Sequence, residues 1–203
     1  MKSVHETVYH KLVIQKSIFH NYLIPVETVE QALASLDEVK QKHPGASHYC
    51  YAYIIGLNTE YQKYNDDGEP SKTAGMPMLE VIKKNDLTNV IAISVRFFGG
   101  IKLGAGGLIR AYAKGVAKTT EEAIFSTLKT FYTVNLTISF DEIGHVEHFL
   151  RSDYDLIETT YSDSVKYLVY IENNHYEKFF EFFTNQTNGK ATFDITKKEI
   201  LFK

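Results

Sequence analysis

Hydrophobic positions along this chain follow two spacings that alternate several times. Residues 6–16 and 18–26 carry Val8, His10, Leu12 and Ile14, then Ile18, Tyr22, Ile24 and Val26, at a period of two. They predict two strands, the second closed by Pro25. From Thr28 the spacing changes: Val29, Ala32, Leu33, Leu36 and Val39 predict a helix that ends before HPG at 43–45. Residues 47–57 return to a strand pattern, 60–64 offer it a hairpin partner, and NDDGEP at 65–70 is turn chemistry. A short helix follows from Thr73 through Met78, Leu79 and Ile82, with Pro77 in its first turn. Residues 89–98, NVIAISVRFF, suit a strand buried on both faces. A glycine-rich turn then leads into a helix from Ala105 to Phe125. Ile109, Ala113, Val116 and Thr120 form its apolar stripe, with Arg110, Lys114 and Lys118 on another face.

At residue 131 the pattern restarts. FYTVNLTISF, DLIETTY, KYLVYIE and ATFDITKKEILF read as strands, with helices at DEIGHVEHFLRS and NHYEKFFEFFTNQT. That order, βαββαβ, is the ferredoxin-like unit. The expected class is therefore α+β in two domains, residues 1–130 and 131–203.

Composition narrows the possibilities. With 203 residues, 44% hydrophobic and 23% charged, the chain is globular, not disordered. A net charge of −3 excludes a protein that is basic throughout. Resolved by segment, residues 1–130 hold 15 Lys+Arg against 13 Asp+Glu, and residues 131–203 hold 7 against 12. Residues 87–120 contain no acidic side chain, five basic ones and half of the 12 glycines. One cysteine, Cys50, permits no internal disulfide and no thiolate zinc site. No signal-peptide core and no membrane span are visible, so a cytoplasmic location is expected.

Three constellations could carry chemistry. In RFFGGIKLGAGGLIRAY, residues 96–112, a buried strand ends in paired glycines and a second glycine group opens a helix. Free helix N–H groups, the helix dipole and close backbone approach make an anion site. Arg96, Gly99, Gly100, Lys102, Gly104, Gly106, Gly107, Arg110 and Lys114 are the candidate phosphate or nucleic-acid contacts. Neither nucleotide-loop signature fits, because Leu103 follows Lys102 and Ile109 stands where a third glycine is needed. The alternative is a glycine turn that serves packing alone. In NDDGEPSKTAG, Asp66, Asp67 and Glu69 could hold a divalent ion, or form an acidic turn with Ser71 and Thr73 as helix caps. In SHYCYAY, His48 and Cys50 share one strand face, and Tyr49, Tyr51 and Tyr53 the other. The thiol has poor geometry for a nucleophile pair, and the tyrosines fit base stacking or, more commonly, a core face.

HYCYAY, NDDGEPSKTAGMPMLEVI and TNVIAISVRFFGGIKLGAGGLIRAY resemble, in order and spacing, the signature segments of the YigZ/Impact family. The resemblance covers most of residues 15–125, and the tail is similar to the smaller C-terminal domain of bacterial members. Phe98 stands where the family usually has Tyr, and Lys72 where Gly is frequent. The resemblance implies an N-terminal α+β domain like the second domain of a small-subunit ribosomal protein, followed by the ferredoxin-like domain. Eukaryotic Impact relatives are translation regulators that carry an additional N-terminal interaction domain. Residues and resemblance together point to a non-catalytic RNA- or ribosome-associated protein linked to regulation of translation. It would bind phosphates through the glycine-rich loop, need no cofactor and have no membrane partner. The alternatives are a metal-dependent enzyme acting on a phosphorylated small molecule, and a protein–protein interaction module.

Overall fold

The apolar run after Asn89 becomes the central strand of a five-stranded sheet. The computed structural model describes residues 1–202, and the chain forms two compact units, Met1–Thr127 and Leu128–Lys203. In the first unit, β1 (Lys2–Val4) precedes β2 (Val8–Ile14), β3 (Ser17–Pro25), α1 (Val29–Lys42), β4 (His48–Ile55) and β5 (Tyr61–Asn65). Then come α2 (Gly75–Lys84), β6 (Val90–Phe97) and α3 (Gly104–Glu122). The sheet order is β2-β3-β6-β4-β5, antiparallel throughout.

Helices cover both faces of the sheet, which is why β6 has no polar side to alternate with. Phe19, Leu23, Cys50, Ile54, Met78 and Tyr112 form one core beneath α2 and α3. Leu36, Val39, Tyr51, Tyr53, Ile91 and Ile93 form the other beneath α1. The start of α1 is fixed by Thr28, whose hydroxyl accepts the Gln31 N–H at 3.2 Å. Because α1 packs over β4 and β6, it leaves the same side of β2 uncovered. Tyr9, Lys11 and Val13 there are exposed.

α3 departs from the sequence pattern in two ways. It ends at Glu122, and Phe125 opens the next strand. Its buried stripe runs through Leu108, Ala111, Tyr112, Gly115, Val116, Thr119 and Thr120; of the four expected positions Val116 and Thr120 are buried, Ala113 is half-buried and Ile109 is 41% exposed. The pivot is Gly115, where an added Cβ would come within 2.1 Å of Asn21 Oδ1. The helix rests on β3 through that point, so Ala111, Tyr112 and Thr119, three or four residues from Gly115, turn inward.

The second unit is built from β7 (Phe125–Ile138), α4 (Ile143–Asp153), β8 (Asp155–Tyr161), β9 (Val165–Glu172), α5 (Asn173–Gln186) and β10 (Thr192–Phe202). Its sheet order, β10-β7-β9-β8 with all pairs antiparallel, is the ferredoxin-like arrangement. Val134, Leu136, Tyr167, Val169, Phe179 and Phe183 fill the core between sheet and helices. β7 starts earlier than its periodicity indicates, and its first three residues pair with β1, a strand the pattern did not reveal. The division at Thr127/Leu128 therefore falls inside a strand, where no linker composition exists to mark it.

Candidate functional site

The end of turn 65–70 and the middle of loop 99–107 open onto one cleft of about 290 Å³, which Asp66, Asp67, Gly99, Gly100, Gly106 and Gly107 do not line. Glu69 and Pro70 form one side, Lys102 to Ala105 and Leu108 the other, with Arg96 and Phe98 between them. The strand β6 delivers Arg96 to the face that carries α2 and α3, opposite His48 of β4. A cation in that position needs a partner, because leaving it unpaired in the interior is very costly. Glu69 supplies it: the Arg96 guanidinium donates to Glu69 Oε1 at 2.6 Å, and the Tyr112 hydroxyl donates to the same oxygen at 2.8 Å. Arg96 also donates to Ser17 Oγ at 3.2 Å and lies 5.5 Å from the ring centres of Phe19 and Phe98.

Arg96 is thus 4% exposed, and its terminal nitrogens are engaged by Glu69 and Ser17 at the floor of the cleft. Its charge neutralises Glu69, so the cleft does not repel anions by virtue of that carboxylate. An arginine inside a run buried on both faces was the signal in the sequence for this pair. Tyr112, in the next helix, gave no comparable sign.

The other two acids of the turn are also committed. The carboxylate of Asp66 accepts backbone N–H groups of Lys72 at 2.8 Å, Ala74 at 3.0 Å and Gly75 at 2.8 Å. It therefore does the capping work expected of Ser71 and Thr73; Ala74 is the N-cap of α2, and Thr73 donates instead to the Pro70 carbonyl. Asp67 Oδ2 accepts the Tyr49 N–H at 2.6 Å, and its carbonyl accepts from His48 Nδ1 at 2.8 Å. Among the described residues, no group of three or more His, Cys, Asp or Glu side chains is arranged to hold a metal ion.

The cysteine lies beside this network. Cys50 is fully buried, and its thiol donates to the Asp66 carbonyl at 3.0 Å. Burial, then the nearby acids, push its ionisation well above the ordinary thiol range. Burial likewise raises the Tyr112 hydroxyl, with Cys50 and Glu69 adding to it. Tyr51 and Tyr53 are buried under α1, which removes them as base-stacking surfaces.

The helix end is different, because its groups are not used. Leu103 is the N-cap of α3 and makes no side-chain cap bond, and the first turn has no acid. Gly104, Ala105 and Gly106 are exposed there, beside exposed Lys102. Gly100 and Gly104 sit at φ +82° and +71°, a left-handed turn that carries the chain from β6 into the helix. Gly99 is needed for contact: an added Cβ would lie 2.1 Å from the Lys16 carbonyl carbon. Gly107 is closed by Leu103 at 3.0 Å, whereas a Cβ on Gly106 would meet only Arg110 Nη1, at 3.5 Å. Arg110 and Lys114 are exposed further along the helix, and Lys118 pairs with Glu121.

The molecule is thus an α+β protein of two units, with a polar cleft at an uncapped helix end. Residues 15–120 match the Impact N-terminal domain, and residues 136–190 match a domain of unknown function. The chain belongs to the Impact family. It is 42% identical to the IMPACT family member YvyE of Bacillus subtilis, over 98% of this chain and 92% of that one. It is 33% identical to the IMPACT family member YigZ of Escherichia coli, over 73% and 74%. A crystal structure of a hypothetical protein superposes with a TM-score of 0.64 at 28% identity, over 97% of both chains. No helix among the described residues is long and apolar enough to cross a membrane.

Proposed function

We propose that the protein is a non-catalytic, cytoplasmic, RNA- or ribosome-associated factor that acts in the regulation of translation. Phosphates would contact the N–H groups at the start of α3 together with Lys102, Arg110 and Lys114. The observation that carries this reading is the α3 end: exposed glycines, no side-chain cap, no acid in the first turn, and Lys102 on the same cleft. The internal pairing of Glu69 supports it, since an anion entering the cleft meets a neutralised carboxylate. Arg96 is left out of the contact set because it is already engaged. The link to translation rests on membership of the Impact family. A non-catalytic role fits a cleft whose acids are held by internal hydrogen bonds and whose nearby thiol is buried.

Filter binding of RNA at two salt concentrations tests this. Binding should weaken with salt and fall further in Lys102→Ala plus Arg110→Ala, which should also lower the salt dependence by about two phosphate contacts. Binding insensitive to both salt and substitution would overturn the reading.

A further inference from the structure

The uncovered part of the first sheet carries a cluster of rings that the cleft does not use. Strand register places Tyr9 beside Tyr22, and Lys11 beside His20, on the side that carries α1; Phe97 of β6 lies on that side too. The rings are held in place. Tyr9 Oη is 2.8 Å from His20 Nδ1, and Tyr22 Oη is 2.7 Å from His43 Nε2. His43, just past the end of α1, is fixed further where its carbonyl accepts the Tyr49 hydroxyl at 2.6 Å. The imidazoles stand 4.3 Å apart, centre to centre, and Phe97 meets both edge-on at 5.8 and 6.3 Å.

Two lysines lie beside the rings. Lys11 pairs across the strands with His20, and Lys42 directly precedes His43 at the end of α1, whose Asp37 is paired with Lys40. β2, β3 and β6 contain no Asp or Glu. Tyr9, at 45% exposed, leads the cluster out to solvent. A row of pre-set rings on acid-free strands, with Lys11 and Lys42 beside it, matches unpaired bases on a phosphate backbone, each base having a π-face to offer. A duplex has its bases already stacked, and an acidic peptide would use the lysines but leave the rings without a purpose.

We propose that this face is a stacking platform for single-stranded RNA, with Tyr9 and His20 taking bases and Lys11 and Lys42 lying beside phosphates. The inference deepens the RNA reading above and rests on it, but it lies on the opposite side of the sheet from α3. The chain has no tryptophan, so Tyr9→Trp provides a single tryptophan on the platform, excited selectively above the tyrosine absorption.

In the full-length protein, a single-stranded RNA of about 12 nucleotides should quench that emission, and Tyr9→Ala should weaken its binding about tenfold. Tyr9→Phe, which keeps the ring, should bind like the unsubstituted protein. A duplex of the same sequence should bind no better than Tyr9→Ala does. If Tyr9→Ala binds normally while Lys102→Ala plus Arg110→Ala binds weakly, the platform is overturned and the loop reading stands. If the unsubstituted protein binds no RNA, both fall. Quenching by an acidic peptide but not by RNA would also overturn the platform.

Discussion

Glu69 and Arg96 form an ion pair at 2.6 Å in which neither side chain is more than 5% exposed. The pair anchors the turn before α2 to the central strand, and Tyr112 ties α3 to the same carboxylate oxygen. Three elements therefore meet on one atom. Removing a single partner strands the other's charge in the interior. Arg96→Met should lower the urea-unfolding free energy by about 3–5 kcal/mol, and adding Glu69→Leu should restore much of it. A double variant no more stable than the single one would contradict the pairing as the source of the loss.

Gly115 and Gly106 lie in the same helix and should respond oppositely to alanine. At Gly115 the methyl group would overlap Asn21, whose amide oxygen accepts the buried Ser94 hydroxyl. That substitution should cost about 1–3 kcal/mol. At Gly106 the methyl group meets only the mobile end of Arg110, and removing a helical glycine should stabilise by up to about 1 kcal/mol. Thermal unfolding of the two variants side by side settles the contrast.

Cys50 should be inert in the native state. Its thiol is fully buried, donates to a carbonyl, and is held in its protonated form by burial and nearby acids. Iodoacetamide at pH 8 should leave the folded protein unmodified and add one equivalent in denaturant, as read by intact mass. Rapid labelling of the native protein would show that the strand β4 opens locally.

Acid should weaken the first unit before its carboxylates titrate. His20 and His43 are both lowered from the ordinary 6.5, by burial first, with His20 also feeling His43 and Lys11, and His43 feeling Lys42. The native state therefore binds fewer protons than the unfolded chain just below that value. The associated stability is complete above about pH 6.5 and is lost as pH falls through the lowered values. The melting temperature should drop between pH 7 and 5, and His20→Gln should flatten that drop. An unchanged slope in this variant would assign the acid sensitivity elsewhere.

Periodicity located every helix and the main strands, because each element has one continuous partner surface. The position of β6 was legible for the same reason: a run with no polar face must be covered on both sides. Two kinds of feature were not. β1 is three residues long and takes its place by pairing with 125–127 and by backbone bonds to Asp86 and Thr88, all far away in sequence. The α3 stripe depends on Asn21, which lies on β3 and admits only glycine at position 115. At the site, the glycine turn and Lys102 were readable as local chemistry. That Asp66 would solvate itself with three N–H groups was not, since those donors become close only when the loop is folded. His20 and His43 were also missed, because their contact joins a strand to the end of a helix 23 residues later.

Both sheets end in strands that pair on one side only: β2 and β5 in the first unit, β8 and β10 in the second. Such edges are templates onto which another chain can add. Here Lys11 and Lys63 sit within β2 and β5, and both strands of the second pair carry a break in register, after Leu156 and after Ile195. Lys197 and Lys198 follow the second break. The lysines of β2, β5 and β10 and the breaks in β8 and β10 thus have a colloidal consequence as well: each disfavours the edge-to-edge growth by which strands build fibrous assemblies.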